Sequence, residues 1–244
     1  MNVVLFGGTG TIGSGALIES LKSPEVARVL SITRRPTGRK HAKLEEVLHE
    51  DFLDYGNLKE ELRETDACFF CLGVSAAGKS EEDYRRITFD FTVAAAAAVL
   101  EANPRATFIY ISGAGADSTG TGRIMWARVR GQLEHHLLGM GLGGAYIFRP
   151  AYVQPIGDVA ASTAWYAPLY KLTKPFYPVL RKFPNYVTST TQIGQALLRV
   201  ARDGHELQIL ECGDINEAAA ISAVADRGLS LGTTKRGYGP IEPL

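Results

Sequence analysis

Three groups of residues in this 244-residue chain could do chemistry, and the first is a run of glycines. Directly after the apolar stretch VVLF, Gly7, Gly10 and Gly13 read G-x-x-G-x-x-G, while Gly8, Gly10 and Gly13 read G-x-G-x-x-G. The free N–H groups of such a turn, and of a helix opening at Thr11 and Ile12, face whatever lies over them and attract anions. A strand, a glycine turn and a helix in that order hold a dinucleotide diphosphate in a doubly wound fold. Gly7 and Gly10 are expected in backbone angles closed to other residues, with Gly13 packed closely against the first strand.

The second group is Arg34 and Arg35, which stand 21 and 22 residues beyond Gly13 at the end of the run RVLSIT. An NAD-selective unit carries an acid near this point for the ribose 2′-hydroxyl, whereas an arginine accommodates a 2′-phosphate. No acid stands at either position, so the expected ligand is NADP(H). One charge-assisted contact contributes roughly 1.5–3 kcal/mol, enough to favour NADP over NAD tenfold or more.

The third group is GVSAAGKS at 73–80, which matches G-x-x-x-x-G-K-[ST] and would place Lys79 on phosphates and Ser80 on magnesium. Against it, Glu81, Glu82 and Asp83 follow at once, and Ser112 stands at the end of FIYIS where a metal-binding acid belongs. A P-loop nucleotidase is the remote alternative. Cys68 and Cys71 form C-x-x-C inside ACFFCLG, an apolar run expected to be a buried strand. Pleating puts those two thiols on opposite faces, so neither a redox nor a metal role is expected, and no metal is assigned.

Strands are expected over 2–6, 27–33, 47–51, 67–72, 107–111, 145–148 and 207–211, alternating with helices over 12–22, 57–63, 81–102, 122–139 and 190–202. The last helix opens with a capping box from Ser189 to Gln192. This alternation predicts an α/β, Rossmann-like, doubly wound parallel sheet with helices on both faces and its ligand at the carboxyl ends of the strands. A single domain over 1–225 is expected. Within it, 151–187 collects Trp165, Tyr166, Tyr170, Phe176, Tyr177 and Tyr186 among Lys171, Lys174, Arg181 and Lys182. That small C-terminal region is expected to supply a substrate pocket or lid, with core packing and peripheral membrane contact as the other readings. Residues 226–244 are glycine-rich and expected to be a flexible tail.

Composition agrees with a globular protein: 45% hydrophobic, 21% charged, with 26 basic residues balancing 26 acidic ones. Zero net charge gives no electrostatic case for nucleic acid. The first apolar run is expected to be a core strand, not a secretion signal, and no stretch has the length of a membrane span. Three cysteines suggest a reducing cytoplasm, and either a monomer or a homodimer fits.

GGTGTIG, the TRR ending strand two, DF at 51–52, CLG at 71–73, ISGAGAD at 111–117, VRGQLE at 129–134 and FRP at 148–150 together carry a resemblance. The chain resembles the atypical, epimerase-like short-chain dehydrogenase/reductases, and among them the Tat-interacting-protein-like group and its bacterial relatives. The resemblance implies that Asp51 binds the adenine amino group with Phe52 beside it, that Leu72, Gly73 and Val74 line the adenosine side, and that Pro150 abuts the nicotinamide.

It also implies an oxidoreductase acting on a small molecule. The family's reductases use a serine to orient a carbonyl, a tyrosine as general acid/base, and a lysine one helical turn beyond it. Here Ser112 holds the serine position, Trp126 the tyrosine position and Arg130 the lysine position. An indole N–H donates but does not cycle a proton at neutral pH, and a guanidinium can hold a ribose hydroxyl but not relay a proton. Ser112, Trp126 and Arg130 are the candidate catalytic residues, with Tyr84, Tyr152 or water as other proton donors. A non-catalytic NADPH-binding sensor is the alternative.

Overall fold

The computed structural model describes residues 1–159, 180 and 182–225. Most of the aromatic segment expected to form a lid or membrane contact, and the expected tail at 226–244, lie outside the described residues.

Strands β1 (Asn2–Phe6), β2 (Arg28–Thr33), β3 (Leu44–Leu48), β4 (Ala67–Phe70), β5 (Thr107–Ile111) and β6 (Gly144–Arg149) are followed by β7 (Tyr152–Gln154), β8 (Val187–Ser189) and β9 (Ile209–Glu211). Seven of them form one sheet in the order β3-β2-β1-β4-β5-β6-β9, and every pairing is parallel. Strand order reverses direction between β1 and β4, which opens a crevice above β1 at the carboxyl edge. β7 and β8 pair as a separate parallel ribbon.

The helices are α1 (Thr11–Lys22), α2 (Lys59–Leu62), α3 (Glu81–Arg85), α4 (Phe91–Ala102), α5 (Met125–Leu138), α6 (Thr190–Asp203) and α7 (Cys212–Ala225). Period-two side chains sort the sheet into two cores. Val3, Leu5, Phe69 and Ile109 pack with α1, α6 and α7, whereas Val4, Phe6, Phe70, Phe108 and Tyr110 pack with α4 and α5. Cys68 joins the second core and Cys71 the first, on opposite faces as the pleat requires.

Helices α1 and α6 meet through small residues. A Cβ on Gly15 would lie 2.6 Å from the Thr190 side chain, and one on Gly194 would lie 2.8 Å from Glu19, so the two axes approach at contact distance. Ser189 caps α6 as its spacing predicts, its Oγ accepting the Gln192 N–H at 3.2 Å.

Several elements differ from the sequence expectation. The third strand covers Leu44–Leu48 and not 47–51, because it is a half-exposed edge strand whose LEEVL pattern carries two glutamates; beyond it the chain turns where Asp51 Oδ1 accepts the Leu53 N–H. The helix expected over 81–102 contains a π turn at Arg86–Asp90 between α3 and α4. Helix α5 begins at Met125 and not 122, since Gly122 belongs to a turn organised by Asp117, whose carboxylate accepts the N–H groups of Thr119 and Gly122. The β7–β8 ribbon and α7 had no distinct sequence signal, being too short or alanine-rich without clear amphipathic spacing.

Candidate functional site

The glycine turn follows directly from β1. Gly7 sits at φ +78°, in the left-handed region, and a Cβ there would lie 2.8 Å from the backbone of Cys71 and Leu72 at the end of β4. A Cβ on Gly13 would lie 2.1 Å from the Gly7 carbonyl oxygen, so only glycine lets α1 start this close to the turn. Gly10 corrects the expectation of special backbone angles: its φ is −78°, its N–H donates to the Gly7 oxygen at 2.9 Å, and it serves as the N-cap of α1.

No side chain caps that helix end, and its first turn contains no acidic residue. The opening turn of α1, from Thr11 and Ile12, therefore presents backbone N–H groups and the positive end of the helix dipole to the crevice above β1. Ile12 also packs beneath against the first core. This cradle fits a dinucleotide diphosphate in shape and in charge.

Arg34 and Arg35 leave β2 at its carboxyl end, both exposed, with no side-chain hydrogen bond or ion pair among the described residues. The loop behind them folds back over the glycine turn: Thr37 Cγ2 lies 3.3 Å from the position a Cβ would take on Gly8, and the Thr37 N–H donates to Glu46 at 2.8 Å. Arg39 reaches further and donates to the Asp158 carbonyl at 3.1 Å. The loop after β2 thus touches the chain leaving β7, a contact with no signal in the sequence.

Asp51 is exposed in the turn after β3, while Phe52 is 2% exposed and stacked on Phe91 within the second core. Of this pair, the aspartate alone offers surface to a ligand. Leu72 and Val74 are partly exposed after β4, and Gly73 has open space around it. Pro150 is buried after β6, its carbonyl accepting the Ala114 N–H at 3.0 Å. All of these positions lie along the carboxyl edge of one sheet.

The β5–β6 end is built differently. Ser112 is 5% exposed, and its Oγ donates to the Glu134 carboxylate, itself 2% exposed. Arg149 closes the network: its Nε and Nη2 donate to Glu134, its Nη1 to Glu211 at 3.0 Å, and its Nη2 also to Ser118 at 2.8 Å. Burial opposes the Arg149 charge, yet the Glu134 and Glu211 carboxylates outweigh it and hold its pKa above the ordinary arginine value. Glu134 and Arg149 were missed as a pair by sequence reasoning, although each lies in a motif quoted above. Their residue types were visible and their proximity was not.

Trp126 and Arg130 lie one turn apart on α5 and face the loop after β5. Trp126 Cη2 is 3.4 Å from where Gly115 would carry a Cβ, and Arg130 Nε donates to the Tyr84 hydroxyl at 3.0 Å. Tyr84, 1% exposed, is drawn into the site from α3. Tyr152 Oη donates to Gln154 at 2.9 Å. His135 and His136 are exposed on the far part of α5.

Two rival chemistries lack support from this geometry. Ser80 caps α3, accepting the Asp83 N–H and donating to the Asp83 carboxylate, so its hydroxyl is engaged within the chain and not held out for a magnesium ion. Burial pushes the Cys71 thiol up to about 12 and the Cys68 thiol well above its usual value, so both stay protonated at neutral pH.

Residues 3–121 match the model of the NAD dependent epimerase/dehydratase family. The chain is similar to the curated "Protein FMP52, mitochondrial" of Meyerozyma guilliermondii, with 23% identity over 204 residues, 82% of this chain and 85% of that protein. Its fold is similar to that of an oxidoreductase of the short chain dehydrogenase/reductase family from Burkholderia thailandensis (16% identity, TM-score 0.64, 94% of this chain and 98% of that one). It is also similar to the enzyme WbmF of Bordetella bronchiseptica solved in complex with NAD+ (14% identity, TM-score 0.62, 91% of this chain and 78% of that one). The comparison corrects the cytoplasmic expectation, because the curated relatives are named as mitochondrial proteins. Unpaired thiols carry no address. Among the described residues no helix is long and apolar enough to cross a membrane.

Proposed function

We propose that the chain is an atypical short-chain dehydrogenase/reductase, a reading supported by the match of residues 3–121 to the NAD dependent epimerase/dehydratase family, that it binds NADP(H) across the carboxyl edge of its sheet and that it is an oxidoreductase on a small molecule. The observation that carries the nucleotide preference is the pair Arg34 and Arg35, exposed at the β2 end without partners among the described residues. They stand where an NAD-selective unit needs a carboxylate.

In this reading the amides of Gly7–Gly13 hold the diphosphate, Asp51 and the 72–74 loop hold the adenosine, and Pro150 walls the nicotinamide. When bound, the cofactor supplies or accepts the hydride. Arg130 holds a polar group at the reacting end, anchored from behind by Tyr84, and Ser112 stiffens that end through Glu134. The relatives' names make a mitochondrial setting part of the same proposal.

The test is calorimetry on nucleotide-stripped protein. NADPH should bind about tenfold or more tightly than NADH, and Arg34→Ala with Arg35→Ala should remove that preference while leaving NADH unchanged. Absence of binding, or equal losses for both nucleotides, would reject the assignment.

One observation favours a second reading, a non-catalytic NADPH sensor: Trp126 replaces the proton-cycling tyrosine and Ser112 spends its hydroxyl on Glu134. Substrate-dependent oxidation of bound NADPH separates the two. Turnover supports the enzyme, whereas tight binding without turnover and a cofactor-dependent complex support the sensor.

A further inference from the structure

Arg130 is a candidate catalytic residue whose guanidinium forms no ion pair among the described residues; burial opposes its charge, and the nearby Tyr110, Tyr84 and Glu134 side chains support it. Its Nε donates to a neutral phenol, Tyr84, and neither Nη group has a hydrogen bond or carboxylate partner among the described residues. The acids on neighbouring turns are already engaged, Glu134 by Arg149 and Ser112, and Glu81 by Arg128. The guanidinium nevertheless lies half-buried against the loop after β5, its Nη1 2.7 Å from the position of a Gly113 Cβ, so that glycine leaves the room it occupies. A guanidinium stays protonated, and a partly desolvated one whose Nη groups have no direct partner favours an anion.

The indole of Trp126 lies beside it on the same face of α5, partly exposed along the Gly113–Gly115 turn. β5 lies two strands from β1 in the sheet, so the loop that Arg130 lies against follows a different strand from the glycine turn. We propose that Arg130 and Trp126 form a carboxylate subsite: the free Nη pair receives the carboxylate of a small organic acid in a planar fork, and the acid's flat apolar body lies against the indole. The inference rests on the proposed nucleotide site only in making this acid the molecule presented to it.

Phenylacetate and its neutral analogue phenylacetamide are the probes, titrated by calorimetry and saturation-transfer NMR into the full chain with and without saturating NADPH. The acid should bind at least about tenfold more tightly than the amide. Arg130→Gln should erase the difference, Arg130→Lys should keep a reduced one because the charge remains without the fork, and Trp126→Ala should weaken acid and amide alike. Thermal melts check that each variant is folded, and Arg130→Lys, which keeps a donor near Tyr84, serves if Arg130→Gln is not. Equal binding of acid and amide, no saturable binding of the acid at millimolar concentration, or an acid preference that survives in either folded Arg130 variant undiminished would overturn the subsite. A chain that prefers the acid but ignores NADPH would sink the nucleotide reading alone, and one that binds NADPH without preferring the acid would sink the subsite alone.

Discussion

The two ends of the crevice are made on opposite plans. At the β1–β2 end the backbone is rigidly set, with Gly7 in the left-handed region and Gly13 pressed onto the Gly7 carbonyl, while the side chains that face outward, Arg34 and Arg35, engage nothing else described in the chain. At the β5–β6 end the polar side chains satisfy one another: Ser112, Glu134, Arg149, Glu211 and Ser118 form one chain of hydrogen bonds, most of it buried. A site whose polar groups lack internal partners is poised for a ligand, whereas a saturated network stabilises the scaffold and offers a ligand little. Arg130 is the exception at the saturated end, which is why the substrate proposal centres on it.

The largest effect expected is at the rigid end. Gly13→Val should abolish measurable NADPH binding, a loss of about 100-fold or more, and lower Tm, because its side chain would occupy the space of the Gly7 carbonyl and the backbone on both sides is fixed. Gly73→Ala, with nothing within 4 Å of the added methyl, is its control and should change stability by less than about 0.5 kcal/mol. Calorimetry and melting curves on both variants check the claim, and an unimpaired Gly13→Val protein would mean that the cradle is not rigid.

At the saturated end the effect should fall on stability and not on the nucleotide. Glu134→Ala leaves Arg149 without its main partner and should cost about 3–5 kcal/mol in chemical denaturation, with NADPH affinity changed less than about threefold. The reverse pattern, lost affinity at full stability, would place the network in contact with the ligand. A smaller effect is expected of Ser112→Ala, which removes one donor from the Glu134 carboxylate and should cost about 1.5–3 kcal/mol.

The smallest expected signal concerns the cysteines. Cys68, Cys71 and Cys212 should resist iodoacetamide at pH 8 in the native protein and react fully in denaturant, since burial raises all three thiols. Rapid alkylation of Cys68 or Cys71 would reopen a redox role for C-x-x-C.

Much of the fold is legible in the sequence. Parallel strands buried on both faces read as continuous apolar runs, so β1, β2, β4, β5 and β6 were placed within a residue or two of their observed bounds. β3 was displaced because an edge strand mixes glutamate with leucine and valine, and its bounds come from pairing with β2, which no local pattern encodes. The glycine turn was legible for the same reason it works: its geometry is local, and glycine's missing side chain is the device itself.

Residue types and short-range spacing were therefore enough to determine the alternating α/β order, the glycine turn and the arginines at the end of β2, whereas the place of Trp126 at a tyrosine position comes from the family resemblance. Tertiary structure alone decided which polar groups are already engaged. Ser112 and Glu134 are 22 positions apart, Arg149 and Glu211 are 62 apart, and Tyr84 and Arg130 are 46 apart. Whether a serine faces a substrate or a buried carboxylate, and whether an arginine keeps a free fork, depends on how distant elements pack. A hydrogen bond is a matter of a few tenths of an ångström, which sequence separation does not specify.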